Sequence, residues 1–425
     1  MINEKTVLQV LAEQKEEIDD YQPLQWVTRK EEQLFELNSS LAQVVIGVRR
    51  SGKSTLCHKV LKENGVQYAY VNFDDDRFAG MQTEDLNVLL SCLYQTYGTD
   101  FLYLFLDEIQ NVEGWHLFVN RLLRTGLHIF VTGSNAKLLS SELATHLTGR
   151  YNEIRLYPFS FSEYCEIKQI EKKSPTTKAE SERKRALADY LNEGGFPEIQ
   201  NIQNKRTYVQ SLLDAVLQKD IQQRFHIRNI EVLKKIAYHL ISNTCQIVNY
   251  DELSDILGTS DKTIRKYVGY LQQAFLVQLL PKFSFKSKER LIGEKAYIVD
   301  TGLENNRNYS MAGENAGWRL ENVIYIELLR RCSQSFFDIY YYKPSSRAKE
   351  IDFVICNQNK PVELIQVAYD IENIKAYNRE ITSLVKSADA LRCNNLTLIS
   401  LSQSRTVESE GKNINIVSAI DWLLK

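Results

Sequence analysis

Residues 47–55 have the types and spacing of a loop that grips phosphate. They read Gly-Val-Arg-Arg-Ser-Gly-Lys-Ser-Thr, so a glycine, four variable positions, a second glycine, a lysine and a serine follow in order. Glycines let backbone N–H groups curve around an anion because no Cβ stands in the way. The lysine of such a loop contacts the β- and γ-phosphates of a nucleoside triphosphate, and the next hydroxyl takes one position on Mg²⁺. This phosphate loop is therefore a predicted triphosphate site, formed by Gly47, Arg49, Arg50, Ser51, Gly52, Lys53, Ser54 and Thr55.

A second group of reactive side chains begins at Asp107. Six apolar residues, 101–106, come directly before Asp107 and Glu108. Ligands bind beyond the carboxyl ends of strands in open α/β sheets, and such an apolar run is typical of a buried strand. We expect Asp107 to help hold Mg²⁺ and Glu108 to polarise a water for attack on the γ-phosphate. The alternative is that both carboxylates are ordinary surface residues after a strand.

Three further residues are candidates for the same reaction. Ser134 and Asn135 follow the apolar run 128–132, and either side chain can hydrogen-bond the attacking water or the γ-phosphate. Their alternative is an ordinary Gly-Ser-Asn turn. Arg150 can stabilise transition-state charge, in cis or from a neighbouring subunit, or it can simply pair with Glu153 on the surface. Of Arg49 and Arg50, one is expected to face outward or to meet a partner.

The elements that position these residues alternate between strands and helices. Apolar strands are predicted at 41–46, 67–73, 101–106 and 128–132, with a helix over 54–64 and another that Thr83 can cap. Continuous apolar strands separated by helices are typical of a parallel sheet covered on both faces. The first 160 residues are therefore predicted to form an α/β core.

Several of these segments resemble one family. GVRRSGKSTL, LFLDEIQNVEGW, FVTGSNAKLL, LTGRY and LYPFSFSEY, together with Gly194-Gly195-Phe196-Pro197-Glu198, are similar to prokaryotic AAA-type ATPases that carry a C-terminal domain of unknown function. The resemblance covers most of the chain. It implies an AAA+ fold, ATP binding and hydrolysis of ATP with Mg²⁺.

Composition excludes several other classes of protein. The 425 residues are 44% hydrophobic and 25% charged, which provides enough apolar residues for a sizeable core. The net charge of −2 gives no overall attraction to nucleic acid or membrane. Seven scattered cysteines without a CxxC pair argue against a disulfide framework and a zinc site, and suit a reducing cytosol. No apolar run approaches the roughly 20 residues that span a bilayer, so a cytoplasmic protein is expected.

Residues 161–245 are predicted to form a helical lid. The charged run 171–185 is expected to be an exposed loop, Gly194 to Pro197 to end a helix, and 206–225 to be one long helix. Residues 246–310 have the rhythm of a winged helix-turn-helix, in which Leu253 and Ile256 line a short first helix and Ile264 faces inward from the second.

A basic surface on this second module is a candidate for binding duplex DNA. Cations project from its second helix and from a basic wing over 282–290, where Phe283 and Phe285 are interleaved. Such a surface can contact backbone phosphates with little sequence specificity. The alternative is that the module serves only for packing or docking. The candidate DNA contacts are Lys262, Arg265, Lys266, Lys286 and Lys288.

The last segment, 311–425, resembles a restriction-endonuclease-like α/β domain. A helix over 318–331 is followed by strands at 337–342, 350–356 and 362–367. In active members of that superfamily a helical glutamate, a strand aspartate and an acid-x-lysine motif assemble a metal site. Glu321 and Asp352 match the first two, but the third motif falls on Gln366 and Ala368. Since Mg²⁺ prefers carboxylate ligands, we predict no nuclease activity.

These observations support one main hypothesis and two alternatives. The main hypothesis is a Mg²⁺-dependent ATPase whose nucleotide state controls the C-terminal modules, with duplex DNA as a candidate partner. The first alternative is a nucleotide-gated switch that binds a protein and no nucleic acid. The second is an ATP-dependent nuclease. A homo-oligomer would be required if Arg150 acted across subunits.

Overall fold

The computed structural model describes residues 2–20, 26–134, 149–286, 290, 293–305, 316–333, 335, 337–345, 348–401 and 404–425. It divides into two compact units, Met1–Leu156 and Tyr157–Lys425. Asn135 and Lys288, two of the predicted site residues, lie outside the described residues.

The first unit contains a five-stranded parallel sheet. Its spatial order is β2-β3-β4-β1-β5, and every neighbouring pair of strands runs parallel. All five residues of the first strand are buried, as expected for a central strand covered on both faces. The predicted parallel α/β core is thereby confirmed. The strands are β1 (Ala42–Ile46), β2 (Tyr68–Asn72), β3 (Tyr103–Asp107), β4 (His128–Gly133) and β5 (Tyr151–Arg155).

Helices and short 3₁₀ turns connect these strands. The helices are α1 (Glu4–Asp20), α2 (Lys53–Glu63), α3 (Leu86–Tyr97) and α4 (Trp115–Arg124). The 3₁₀ turns are Lys30–Leu34, Asp76–Phe78, Thr83–Asp85 and Ile109–Asn111. The first helix packs on the edge strand β2, where the Gln14 side-chain amide exchanges two hydrogen bonds with the backbone of Asn72, at 3.1 and 3.0 Å. This contact occupies backbone groups that an edge strand otherwise leaves open.

The expectation that Thr83 caps a helix is wrong. Its hydroxyl donates to Glu113 O at 2.6 Å. The residue before α3 is Asp85, whose carboxylate accepts from the backbone N–H groups of Gln82 (3.0 Å) and Ile2 (2.8 Å). The Asp85 carboxylate therefore accepts from backbone N–H groups before the helix, while the Thr83 hydroxyl links its own segment to the loop that contains Glu113.

The second unit begins with helices. They are α5 (Phe161–Ile167), α6 (Thr177–Glu193), α7 (Lys205–Ala215), continued by a π-helical stretch (Val216–Gln223), and α8 (Ile230–Ser242), with a 3₁₀ turn at Pro197–Asn201 between α6 and α7. The continuous helical segment confirms the long helix predicted over 206–225.

The charged run 171–185 is largely helical, which corrects the prediction of an exposed loop. Residues from 177 onward belong to α6. Ion pairs one turn apart, Lys184–Glu180 at 2.9 Å and Lys178–Glu182 at 3.9 Å, support the exposed face. The buried face carries Ala186 and Leu187 among others. The high charge of the run led to the prediction of a loop, because the apolar stripe of the helix is too narrow to stand out in the sequence.

The middle of this unit contains a helix-turn-helix and a small antiparallel sheet. Its elements are β6 (Gln246–Ile247), α9 (Tyr250–Leu257), α10 (Asp261–Gln273), β7 (Val277–Leu280) and β8 (Lys295–Ile298), and the strand order is β6-β8-β7. Ser260 caps α10 by accepting from Thr263 N at 3.2 Å, as predicted. Ile264 is buried, as predicted. Of the two apolar residues that line the first helix, Leu253 is buried and Ile256 is 66% exposed.

The segment after β7 does not extend freely as a basic wing. Phe283 is fully buried in the core of the C-terminal sheet, and its N–H donates to Tyr341 O at 2.6 Å. Arg290 donates to the side chain of Asn359 at 2.7 Å. The neighbouring Phe285 is 68% exposed. The interleaved aromatic residues therefore have different roles, and the first of them anchors the segment to another sheet.

The C-terminal part is a six-stranded mixed sheet with helices. The strand order is β13-β14-β12-β11-β10-β9, in which β9, β10 and β11 are antiparallel and β11, β12 and β14 are parallel. The elements are α11 (Gly302–Asn305), α12 (Ala316–Ser333), β9 (Phe337–Tyr342), β10 (Ile351–Asn357), β11 (Lys360–Ala368), α13 (Ile374–Leu391), β12 (Leu396–Ser400), β13 (Arg405–Ser409), β14 (Lys412–Ser418) and α14 (Ala419–Leu423).

Two consecutive glycines allow the helical segment to approach Asp300 and Phe159. Gly194 ends α6 with φ +79°, and a Cβ there would lie 1.8 Å from Asp300 Oδ1. A Cβ on Gly195 would lie 2.2 Å from Phe159 O. Asp300 accepts from Gly195 N at 2.7 Å, and burial raises the pKa of this carboxyl to about 7, against hydrogen bonds from Gly195 and Gly302 that lower it. The glycine pair is therefore required by contact with backbone and a buried acid.

We predict that Gly195→Ala lowers the free energy of unfolding by about 2 kcal/mol or more, because the added methyl overlaps a backbone carbonyl. Gly269→Ala in α10 is the matched control. Its Cβ would meet nothing within 4 Å, and the change is expected to be neutral or to stabilise the protein. Urea unfolding of both variants checks this, and equal stabilities would contradict the close approach of Gly195 to Phe159 O.

Candidate functional site

The phosphate loop joins the carboxyl end of β1 to the first turn of α2. A Cβ on Gly47 would lie 2.1 Å from Leu156 O, so this position accepts only glycine without movement of the backbone. Arg50 and Gly52 have φ values of +67° and +95°, in the left-handed region. These turns curve the loop so that Lys53 begins the helix. Backbone N–H groups at a helix N-terminus attract anions.

Two side chains inside the loop fit a bound phosphate. Ser51 Oγ is fully buried and has no hydrogen-bond partner within the described part of the chain. Lys53 is 4% exposed, and its Nζ donates to Val48 O at 3.2 Å and lies 3.7 Å from Glu108 Oε1. A buried hydroxyl without an acceptor, and a buried ammonium that donates to a loop carbonyl, can both donate hydrogen bonds to an anionic ligand. Arg49 contacts Asp74 Oδ2 at 3.5 Å, in the acidic turn after β2.

Asp107 receives hydrogen bonds from three neutral hydroxyl groups. Ser54 Oγ donates to Oδ1 at 2.9 Å, Tyr70 OH donates to Oδ2 at 3.1 Å, and Thr132 Oγ1 donates to Oδ1. Burial raises the pKa of Asp107 to about 6, and the nearby charge of Glu108 adds to this, while the hydroxyls lower it. A divalent cation beside this carboxylate would favour its charged form. Ser54 and Asp107 are thus placed together as expected of Mg²⁺ ligands.

Glu108 has a left-handed backbone conformation, which is uncommon for a residue with a side chain. Its φ is +54°, and its N–H donates to Thr132 Oγ1 at 3.0 Å. Its carboxylate also accepts a hydrogen bond from Gln110 Nε2 and lies beside Lys53. Outliers of this kind persist where surrounding contacts hold them, often at functional sites.

Sequence reasoning missed Thr132, Tyr70 and Gln110. Thr132 reaches both Asp107 and Glu108 because β4 lies between β1 and β3 in the sheet. The register pairs Leu106 of β3 with Val131 of β4, so the next residues of both strands meet at the carboxyl edge. The threonine at the end of an apolar run was a usable signal, but only with the strand order known.

The remaining predicted residues have different positions. Ser134 directly follows β4 and is 2% exposed, so it lies near the carboxyl edge of the sheet. Arg150 O accepts from Ala42 N at 3.0 Å at the beginning of β1, whereas the phosphate loop follows its end. The five residues of β1 span roughly 13–17 Å. Arg150 therefore lies at the opposite edge of the sheet from the loop of its own chain, and its role toward a neighbouring subunit stays a prediction.

The candidate DNA-binding residues lie on an exposed helix and beyond β7. Lys262, Arg265, Lys266 and Lys286 are all exposed. Arg265 pairs with Asp261 at 2.9 Å and stacks on the ring of Tyr250, 3.9 Å from its centroid. Part of the cationic charge of this helix is thus engaged within the module.

The residues that match a nuclease motif lie close together in the second unit. Asp352 and Gln366 line a cavity of about 450 Å³ with Lys295, Glu350 and Glu380. Glu321 contacts Lys295 there, at 2.8 Å. Among the residues that the structure describes, no group of three or more His, Cys, Asp or Glu side chains is arranged to hold a metal ion.

The fold and the phosphate loop define a nucleotide-binding protein of the AAA-type ATPase class. Residues 39–165 match the family described as AAA domain, and residues 184–310 and 316–419 match two families described as domains of unknown function, DUF8612 and DUF4143. An uncharacterized protein of Methanocaldococcus jannaschii is 33% identical over 398 residues, 90% of this chain and 88% of that protein. An uncharacterized protein of Haemophilus influenzae is 32% identical over 91% of this chain and 95% of its own length. The chain belongs to this family of AAA-domain proteins, which confirms the resemblance.

Solved structures show a more distant likeness. A STAND signal-transduction ATPase with a tetratricopeptide repeat sensor, from Pyrococcus horikoshii, is 16% identical with a TM-score of 0.27, and the match covers 75% of this chain and 51% of that one. Cdc6p of Pyrobaculum aerophilum is 12% identical with a TM-score of 0.30, over 72% of this chain and 96% of its own. Such values carry no functional information.

None of the helices in the described ranges combines the length and apolar character needed to cross a membrane.

We predict that Asp107→Asn stabilises the nucleotide-free protein at pH 8. Because the folded-state pKa of this acid lies above its unfolded value of 3.8, the native state holds the proton more tightly, and stability falls as the pH rises from about 4 through 6. The amide carries no charge, so the variant should exceed the wild type by roughly 1–3 kcal/mol at pH 8 and by about half as much at pH 5.

Urea unfolding in EDTA at both pH values measures this difference. Other titrating groups, including Asp300, are present in both proteins, so the comparison isolates position 107. A variant that is less stable than the wild type by the same amount at both pH values would contradict the buried-charge argument.

Proposed function

We propose that this protein binds ATP with Mg²⁺ in the phosphate loop and hydrolyses it. The observation that carries the proposal is the convergence of two side-chain pairs, Ser54 with Asp107 at 2.9 Å and Lys53 with Glu108 at 3.7 Å. These pairs connect the loop after β1 to the acids at the carboxyl end of β3, although β4 lies between the two strands. Membership of the AAA-domain family supports the same conclusion.

Each residue has a distinct role in this proposal. Loop N–H groups and the Lys53 ammonium bind the phosphates and neutralise their charge. Mg²⁺, when bound, supplies Lewis-acid polarisation of the phosphate oxygens, and Ser54 and Asp107 are the residues that would hold it. Glu108 orients the attacking water and accepts its proton. Thr132 fixes the backbone of Glu108 and the carboxylate of Asp107 through one hydroxyl.

We expect Glu108→Gln to retain ATP binding and to lower the hydrolysis rate by about 10²-fold or more, since it removes the proton acceptor and preserves the side-chain shape. Lys53→Ala should abolish tight binding, because it removes the buried cation. Calorimetric titration with ATP and a phosphate-release assay measure both effects.

Glu113→Gln is the matched control for the first variant. It makes the same change on an exposed side chain of the following loop and should leave both measurements unchanged. Wild-type turnover by Glu108→Gln would contradict the assigned role, and loss of binding by that variant would indicate a structural defect instead.

We further propose that nucleotide state controls the second unit, which carries a winged helix and a restriction-endonuclease-like sheet. Two features support the winged-helix assignment: the two helices joined at Gly258, and the three-stranded sheet in which β8 pairs with both β6 and β7. The meander β9-β10-β11 continued by parallel β12 supports the second assignment. The family descriptions leave the role of both modules undefined.

Binding of duplex DNA by α10 is the second candidate function. Three cations, Lys262, Arg265 and Lys266, are exposed on one helix, and such a row contacts phosphates without reading bases. The burial of Phe283 removes much of the predicted wing from this surface. A nucleotide-gated switch that binds a protein is the competing function.

A mobility shift at low salt separates these functions. If α10 binds duplex, affinity should fall steeply with salt, and replacing the three cations with alanine should weaken binding by at least tenfold and reduce the salt slope. Replacing Lys178, Lys184 and Arg185 of α6 with alanine is a control of equal charge. Absence of binding at low salt would favour the protein-binding switch, and equal loss in both triple variants would contradict α10 as the duplex-binding surface.

A further inference from the structure

Acidic side chains from two elements converge on one lysine in the second unit. Lys295 Nζ lies 2.8 Å from Glu321 Oε1 and 2.8 Å from Glu350 Oε1. The lysine belongs to β8, Glu321 to α12, and Glu350 directly precedes β10, whose second residue is Asp352. These four residues are referred to as the Lys295 cluster.

The lysine is built into the interior. It is 1% exposed, and its ammonium lies 5.6 and 5.9 Å from the ring centroids of Tyr297 and Tyr341. Burial lowers the pKa of Lys295, but Glu321, Glu350 and Asp352 outweigh it and hold the pKa well above its ordinary value. The ammonium therefore keeps its charge, because a buried cation is stable only with such partners.

The carboxylates around it already have donors from the protein. Glu321 Oε1 also accepts from Tyr297 OH at 2.7 Å, and Asp352 Oδ2 accepts from Val367 N at 2.8 Å. Burial, together with Glu321 and Glu350, raises the pKa of Asp352. This acid therefore adds less negative charge to the cluster than an exposed aspartate would.

Gln366 occupies the position at which an active nuclease would have the acid of its third motif, and it makes a different contact. Gln366 Nε2 donates to Glu380 Oε2 at 2.9 Å, and its Oε1 accepts from Asp352 N at 3.4 Å. Glu380 also pairs with Arg379. A carboxylate at 366 would face Glu380, so the neutral amide suits this buried bridge between β11 and α13. Glu363, the single acid of β11, accepts from Thr397 Oγ1 at 2.7 Å.

A divalent cation does not fit these residues. Mg²⁺ requires several oxygen ligands in near-octahedral geometry, and two of the candidate oxygens are already in contact with an ammonium. A metal ion bound to them would repel that ammonium. The described part of the chain contains no ligand group of the required size.

We infer that Lys295 is the permanent counter-ion of this cluster and excludes divalent cations from it. The lysine ties β8 to α12 and to the segment that enters β10, and the three acids remain without metal. The inference concerns the second unit alone and stands whether or not ATP is hydrolysed. It also predicts that removing the ammonium leaves Glu321 Oε1 and Glu350 Oε1, each 2.8 Å from the ammonium position, without a counter-ion, so that they can take up a cation.

Manganese binding tests this inference in the full-length, nucleotide-free protein. We expect Lys295→Met, which keeps the length of the side chain and removes its charge, to bind Mn²⁺ at least tenfold more tightly than the wild type. Mn²⁺ should also raise the thermal midpoint of this variant. The double variant Lys295→Met with Glu321→Gln should lose the added site. Electron paramagnetic resonance of free Mn²⁺ gives the binding, and scanning fluorimetry gives the midpoint.

Two results would overturn the inference. One is a folded Lys295→Met protein that binds Mn²⁺ no better than the wild type. The other is a wild-type Mn²⁺ site that disappears in Glu350→Gln. This second comparison does not require the lysine variant to fold, and equal Mn²⁺ binding by the wild type and Glu350→Gln supports the inference. The phosphate loop is unchanged in all these proteins, so its contribution cancels.

Discussion

The Asp107 carboxylate holds the phosphate loop against the carboxyl ends of two neighbouring strands. Ser54 reaches it from the helix after the loop, Tyr70 from β2 and Thr132 from β4. All three donors are neutral hydroxyls, so they satisfy the oxygen lone pairs without cancelling the charge. Burial and the neighbouring Glu108 raise the pKa of Asp107, and the three hydroxyls lower it without offsetting both. The same arrangement makes the carboxylate ready for a cation.

The two buried acidic clusters of this chain balance their charge in opposite ways. At the phosphate loop, Lys53 lies beside Glu108 at 3.7 Å and Asp107 accepts hydrogen bonds only from hydroxyls, so the charge of Asp107 has no cation beside it among the described contacts. In the second unit, Lys295 supplies the balancing charge from within the fold. Buried charges need partners, and the identity of the partner determines whether a site can bind anything else.

Local sequence patterns predicted the site residues whose positions depend on the neighbouring backbone. The phosphate loop and the Asp107-Glu108 pair could be recognised because a short spacing determines how the chain turns after a strand. Thr132 could not be recognised, because its importance depends on which strands are neighbours. Lys295 could not, because its partners, Glu321 and Glu350, are distant in the sequence and lie on other elements. The helical run over 177–185 was missed for a different reason, since ion pairs one turn apart stabilise a sequence whose composition suggests a loop.

Long-range packing also explains why the modules after residue 157 form one compact unit. Phe283, which follows β7 of the small antiparallel sheet, packs in the core of the six-stranded sheet. Lys295 of the small sheet is neutralised by Glu321 and Glu350. The boundary predicted at residue 310 therefore separates a buried cation from both of its partners. Without the later residues, β8 would hold an uncompensated ammonium and an apolar ring would lose its cover, which are among the most destabilising changes a small sheet can undergo. The small sheet thus depends on the C-terminal sheet for its charge balance and for part of its core.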